Sequence, residues 1–167
     1  VRSSSASGYV FADDAEGSLI RSRIDESVVE SVGGLEGVAK AVPVGVLLTG
    51  GQGPQGGIDL AVIGTDTDGP AVPTTLVEGR LPDRGEDGVA AVDERLRLDG
   101  VELGSTITVG EVPAEVVGFV TDAAYQLQPS AWVSVPTWRA MRDAVRPELR
   151  GQPTSISAVA VELSPGA

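Results

Sequence analysis

The sequence predicts an α+β domain, a mixed and mostly antiparallel β-sheet carrying a few short helices. Three observations predict it. Short apolar segments rich in Val, Ala and Ile recur along the chain, each bounded by Gly, Pro or acidic turn residues. Two windows, Val28 to Leu35 and Trp138 to Val145, instead repeat apolar residues at helical spacing. At 167 residues the chain is long enough to bury a sizeable core and short enough to be one domain, divisible at most into two small lobes, 1–75 and 76–167.

Gly8 to Ala12 (GYVFA) reads as a first strand, with Asp13, Asp14 and Glu16 marking the turn after it. Ser18 to Ile24 is a second extended piece. Asp25 is placed to cap a helix, its carboxylate accepting from the free amides of the first turn. Val28, Val29, Val32 and Leu35 then line one helical face, and Gly37 supplies the stop. Gly33 and Gly34 lie inside this pattern and weaken it by about 1 kcal/mol each relative to Ala.

Val38 to Thr49 returns to β character, and Pro43 within it favours an edge position or a bulge because it has no amide to donate. Gly50 to Gly57 (GGQGPQGG) reads as the mobile tip of a hairpin whose second strand is Ile58 to Thr65. A phosphate-binding loop would need Lys followed by Ser or Thr after the glycines, and Ile58 and Asp59 stand there instead. Asp66-Thr67-Asp68-Gly69 opens like a calcium loop. Pro70 and Val77 occupy positions where oxygen ligands are required, so the segment reads as a surface turn.

Glu78 to Pro82 (EGRLP) is a turn, and Val89 to Val92 a buried strand. Asp93 caps a short helix through Leu98, which Asp99-Gly100 ends. Thr106 to Val109 and Ala114 to Val120, joined across Gly110 to Pro113, form the clearest hairpin in the chain. Ala131 to Val135 is a further strand, and Pro136 suits the first turn of the helix after it. Trp138, Met141 and Val145 form the core face of that helix, which Pro147 closes. Thr154 to Leu163 is apolar on both faces, as a central strand is.

Composition excludes several functions. A net charge of −12 leaves no basic surface for nucleic acid and disfavours anionic lipid. With neither Cys nor His, the chain offers no disulfide, thiolate or imidazole metal site, Cys nucleophile or imidazole base, so no metal and no cofactor are expected. Lys40 is the single lysine and has no Ser-x-x-Lys spacing before it. Paired carboxylates could serve a hydrolase, but sugar sites present aromatic platforms and aromatics are only 4% of this chain. A secreted acidic binding or adhesion domain fits the composition better than that hydrolase. No catalytic residue is expected.

One lysine against eleven arginines, with Val, Ala, Leu and Gly dominant, suggests a high-GC bacterial coding sequence. The start at Val1 and the lack of a signal-like region suggest an excised segment or a processed product. The most apolar run, Val42 to Leu48, falls well short of the roughly 20 residues that cross a bilayer. One loop, Thr121 to Ser130, has the make-up of a contact surface. Tyr125, Gln126, Gln128 and Trp132 combine flat apolar area with hydrogen-bonding tips. The alternative is that Tyr125 packs over the sheet edge.

Several motifs occur together in order and spacing: Glu78-Gly79-Arg80-Leu81-Pro82, the strand ending at Asp93, Leu103-Gly104-Ser105-Thr106-Ile107 and Val116-Val117-Gly118-Phe119. Together they resemble the extracytoplasmic core domain of MacB/FtsX-like ABC transporter permeases. Leu35-Glu36-Gly37-Val38 with Val42-Pro43 resembles an earlier pattern of the same family, so the similarity runs from Gly8 to Leu163. Ser105 stands where the family often carries Asp, and either can cap a turn. Ile63-Gly64-Thr65-Asp66 and the Asp122 to Pro129 loop look most like HrtB-like hemin-export and DevC-like permeases.

The resemblance implies an outward-facing domain inserted between the first and second membrane helices of a permease at the cell membrane. It also implies a separate cytoplasmic ATP-binding subunit, a second permease copy forming a homodimer, and export of a lipophilic or hemin-like cargo. Within that scheme the domain transmits movement and has no chemistry of its own.

Overall fold

The computed structural model describes residues 6–10, 23–73, 75–121 and 128–165. Its strands are β1 (Gly8–Val10), β2 (Ile24–Asp25), β3 (Val38–Gly53), β4 (Gly56–Thr65), β5 (Leu76–Gly79) and β6 (Val89–Asp93), followed by β7 (Thr106–Val109), β8 (Val112–Val120), β9 (Ser130–Val133), β10 (Ser155–Ile156) and β11 (Ala158–Leu163). Two α-helices, α1 (Ser27–Gly33) and α2 (Val135–Val145), and 3₁₀ helices at Glu94–Asp99 and Pro147–Gly151 complete the order. The expected α+β architecture is the observed one. Residues 11, 12 and 18–22 of the expected first two extended pieces lie outside the described residues.

Nine strands form one sheet in the order β1-β11-β3-β4-β9-β6-β8-β5, with β7 bridging β3 and β8. The pairs β4–β9 and β6–β8 are parallel, and the rest are antiparallel. Because β7 joins β8 along its length and meets β3 at Gln52↔Thr108, the strands β3, β4, β9, β6, β8 and β7 close a circuit. Closure removes open edges. It also runs one sheet through residues on both sides of position 75.

Period-2 alternation divides the core between two faces. Leu60 and Val62, Ala90 and Val92, and Ala131 and Val133 point to one cluster. Ile63, Ala91 and Trp132 point to the other. Helix α2 lies on the first face, where Trp138 and Met141 are buried and Val145 packs against the cluster. Ser134 caps it, accepting from the Thr137 amide at 3.4 Å. The seat for Trp138 is made by Gly45 and Gly64, register partners on β3 and β4. A Cβ on either would stand 2.2 Å from the tryptophan.

Four expectations need correction. Gly50 to Gly57 is not a loose tip: Gly50, Gly51 and Gly53 are paired strand residues, and the turn is Pro54-Gln55 alone. Glycine is required because β7 crosses closely there. A Cβ on Gly51 would lie 2.9 Å from the Thr108 carbonyl oxygen. Helix α1 ends at Gly33 rather than at Gly37, since two consecutive glycines end it as readily as they weaken it. Asp25 precedes the capping position, which Glu26 occupies, yet its Oδ1 still accepts from the Ser27 amide at 2.9 Å. The loop Gly110 to Pro113 narrows to Gly110-Glu111, both at positive φ, 56° and 69°. That is the two-residue turn which matches strand twist.

Candidate functional site

The most distinctive segments of the sequence meet on one flank, where β5 lies against β8. Gly79 and Gly118 are register partners. Gly79 has φ 75°, and a Cβ there would be 2.1 Å from the Val117 carbonyl oxygen, while one on Gly118 would be 2.0 Å from that of Arg80. The glycines of EGRLP and VVGF therefore let two backbones touch, and the Arg80 amide donates to the Val117 carbonyl at 2.9 Å. Ser105 caps the neighbouring turn as expected. Its Oγ accepts from the Glu102 amide at 2.9 Å, and the Gly104 amide donates to the Val116 carbonyl at 2.9 Å.

Asp93, 3% exposed, ends the buried strand β6 and accepts from the Arg95 amide at 2.9 Å. The 3₁₀ helix it starts presents Arg97 over the Phe119 ring, 4.2 Å from the centroid, with its Nη2 donating to Glu78 Oε2. These groups, with Val101, Glu102 and Leu103, line a cavity of about 430 Å³. Leu98 beside it is 88% exposed, Leu103 41%, and Leu76 and Val77 of β5 are exposed as well. The sequence motifs of this flank stood out, but its exposed apolar patch was missed from sequence. The signal was available in LRLD, where Leu96 faces the core and Leu98 cannot.

Of the expected contact residues, Tyr125 and Gln126 lie outside the described residues. Gln128 is half-buried, and its buried Oε1 has no hydrogen-bond partner. Trp132 is 1% exposed, with its indole nitrogen donating to Ser130 Oγ at 2.9 Å, so in this structure it is core rather than surface. Period 2 explains it: Trp132 shares a face with Ala91 and Ile63. The loop is anchored at its start, where Thr75 Oγ1 donates to the Thr121 carbonyl and the Thr121 amide donates to the Thr75 carbonyl at 3.1 Å.

A second cleft, of about 400 Å³, opens between α1, the start of α2 and the loop after β5. Arg84 reaches Asp66 at 3.3 Å and Arg139 reaches Glu26 at 2.6 Å. Burial pushes the Asp66 carboxyl up, and the Arg84 charge partly offsets that. On the same loop, Glu86 is held down at about 2 by hydrogen bonds from the Arg80 guanidinium and then from the Asp83 amide. Every carboxylate in this cleft faces a cation, an arrangement that fastens a loop. Among the described residues, no group of Asp and Glu is placed to hold a metal ion, and no helix is long and apolar enough to cross a membrane.

The fold resembles that of solved structures, two of which are the following. Against the periplasmic region of MacB from Actinobacillus actinomycetemcomitans the TM-score is 0.68, with 16% identity over 95% of this chain and 75% of that one. Against the extracellular domain of the noncanonic ABC-type transporter YknZ from Gram-positive bacteria the TM-score is 0.63, again with 16% identity, over 95% of this chain and 83% of that one. Such identities speak for the fold. A comparison with curated proteins found no match.

The MacB-like periplasmic core domain family matches residues 1–167, and the chain belongs to that family. It is an extracytoplasmic, non-catalytic domain of a MacB-like ABC transporter.

Proposed function

We propose that this domain is a single mechanical unit that carries membrane-helix motion outward in an exporting permease. The observation that carries the reading is the adjacency of its two ends. The Ser7 amide donates to the Val161 carbonyl at 2.7 Å, the Leu163 amide to Ser7 Oγ at 3.2 Å, and β1 pairs β11 from Gly8↔Val161. A domain inserted between two membrane helices needs its ends to leave side by side. Motion of both helices then enters at β1 and β11 and passes through β3 into the closed circuit of strands.

ATP is hydrolysed by a separate cytoplasmic subunit, and two permease copies work as a dimer, with Tyr125, Gln126 and Gln128 in the loop that meets the other copy. The cargo is lipophilic or hemin-like, as in the HrtB-like and DevC-like permeases the sequence resembles. The domain offers few groups that could hold a haem iron: His and Cys are absent from the sequence, Met141 is fully buried, and Tyr9 and Tyr125 are the remaining candidates. The isolated domain should therefore give no six-coordinate haem spectrum. Such a spectrum, lost on Tyr125→Ala, would overturn this reading.

The full open reading frame is the first test. Apolar stretches of about 20 residues on both sides support the reading, and a signal peptide with a stop codon near Ala167 sinks it. A flexible Gly/Ser insertion between the domain and each flanking helix should then abolish export by the reconstituted permease while ATP hydrolysis persists. Undiminished export would show that the domain transmits nothing.

A further inference from the structure

The end of the domain away from β1 and the close of β11 carries apolar surface that the fold leaves uncovered. Strand β3 starts at Val38, which pairs with Leu163 beside Ser7, and runs 16 residues to Gly53. At the usual rise that is about 50 Å of strand. The turn at its far end lies against the residues that follow the 3₁₀ helix Glu94–Asp99. A Cβ on Gly100 would stand 2.6 Å from Gln55 Nε2, and one on Gly53 3.8 Å from the Val101 side chain. Leu98 and Leu103 are exposed in this region, and Leu103 lines the cavity of about 430 Å³ beside Phe119.

Charge around that surface is unbalanced in one direction. Arg95 is held by Asp93 at 3.1 Å, and Arg97 is held by Glu78 while it stacks on Phe119. Glu94, Asp99 and Glu102 make no ion pair among the described residues, and Glu102 lines the cavity. Both cations of the 3₁₀ helix are thus engaged, and the free charge is negative. A second copy docked here about a two-fold axis would set the same carboxylates against one another, on a chain whose net charge is already −12. The complementary occupant is apolar and basic.

We propose that this surface docks a short extracytoplasmic segment of another protein, apolar with interleaved basic residues. An apolar side chain enters the cavity beside Phe119 and Val101, another covers Leu98, and a basic side chain meets Glu102. The docking rests on the orientation proposed above, in which both chain ends lead into membrane helices and this surface stands away from the bilayer. The fold gains nothing from leucine at position 98, since Leu96 alone faces the core from that helix. An exposed leucine near a preformed cavity rimmed by unpaired charge is the make-up of a binding surface.

The probe is a blocked hexapeptide of alternating Leu and Arg, titrated into the ¹⁵N-labelled chain. Saturable shifts should gather at Leu98, Gly100, Leu103 and Phe119, with amides around Trp138 unmoved. Leu98→Asn should weaken the apparent affinity at least about ten-fold, the value of burying one leucine side chain. Glu102→Gln should weaken it about three-fold and reduce its dependence on salt. The proposal is overturned if no saturable shift occurs, if Leu98→Asn binds as tightly as the parent, or if a hexapeptide of alternating Ser and Arg binds equally well. Adsorption of the chain to phosphatidylcholine vesicles, or its self-association in sedimentation, overturns it as well where Leu98→Asn abolishes either, because the occupant is then the bilayer or a second copy. These titrations and the linker insertions fail separately. A negative titration leaves the mechanical reading standing, and export that survives the linkers leaves the docking surface standing without its mechanical role.

Discussion

Gly45 and Gly64 pair across β3 and β4, and Gly79 and Gly118 pair across β5 and β8. The first pair clears space for a side chain, the Trp138 ring, and sits in the core under α2. The second clears space for backbone, the carbonyls of Arg80 and Val117, and sits on a flank whose β5 residues are all exposed. The same residue type, paired in the same way, thus serves burial in one place and close strand approach in the other. The two regions should fail differently.

The largest effect is expected at the first pair. Gly45→Ala places a methyl 2.2 Å from the Trp138 ring, and overpacking of this severity should cost about 3 kcal/mol in urea unfolding. Trp138→Ala alone should cost about 3–5 kcal/mol through the cavity it leaves. The double variant should be clearly less destabilised than the sum, because each change removes the other's clash. Additive losses would mean that the glycines do not seat the ring.

At the second pair, Gly118→Ala meets the Arg80 carbonyl oxygen, which can move only with its strand. A loss of about 2 kcal/mol is expected, and it should be local. Amide exchange should accelerate along β5 and at Arg80, while Trp138 and its surroundings keep their protection. Uniform acceleration across both regions would erase the distinction between them.

Each region was partly legible in the sequence, and for different reasons. The stripe Trp138, Met141, Val145 shows helical spacing, so its burial could be read directly. Its seat could not, because Gly45 and Gly64 gain meaning only when β3 and β4 pair in that register. The glycine run at residues 50–57 looked like a loop for a related reason. Pairing with β4 and the crossing of β7 override the weak strand propensity of glycine, and both contacts are non-local. The flank stood out through its motifs, EGRLP, LGS and VVGF, whose order carried the family resemblance. What they do there, two backbones held together by Gly79 and Gly118, needed the structure. Trp132 was misplaced because an aromatic beside a polar loop reads as surface until its strand phase is known.

A smaller effect tests the loop that follows β5. Glu86 sits at about 2 in the folded protein, against an ordinary value near 4.5. The sign follows from linkage. The folded form binds the proton less tightly than the unfolded one, so the contribution is full above the ordinary value and is lost as pH falls toward about 2. Asp25, also held at about 2, by Thr154 first and then by the Ser27 amide, acts in the same window. Asp66 is raised by burial and acts in the opposite direction. Glu86→Gln should therefore lower Tm modestly at neutral pH, with the gap from the parent chain closing between pH 4.5 and 2. A gap that stays constant over that range would show that the Arg80 contact does not depend on the Glu86 charge.

The smallest effect belongs to the flank's most exposed apolar residue. Leu98 is 88% exposed, whereas Leu96, two positions earlier on the same 3₁₀ helix, is 1% exposed. A fold that needed Leu98 would have covered it, so Leu98→Asn should change stability by less than about 0.5 kcal/mol. The cavity beside it is held by other groups, Arg97 on Phe119 and against Glu78, and that pair is half-exposed on both sides, where ion pairs add about 0–1 kcal/mol. Leu98→Asn should thus leave the Arg97–Phe119 stack in place, seen as unchanged ring-current shifts near Phe119. If instead the variant unfolds early or the stack is lost, the flank is part of the core, and the contrast with the Trp138 region is one of degree only.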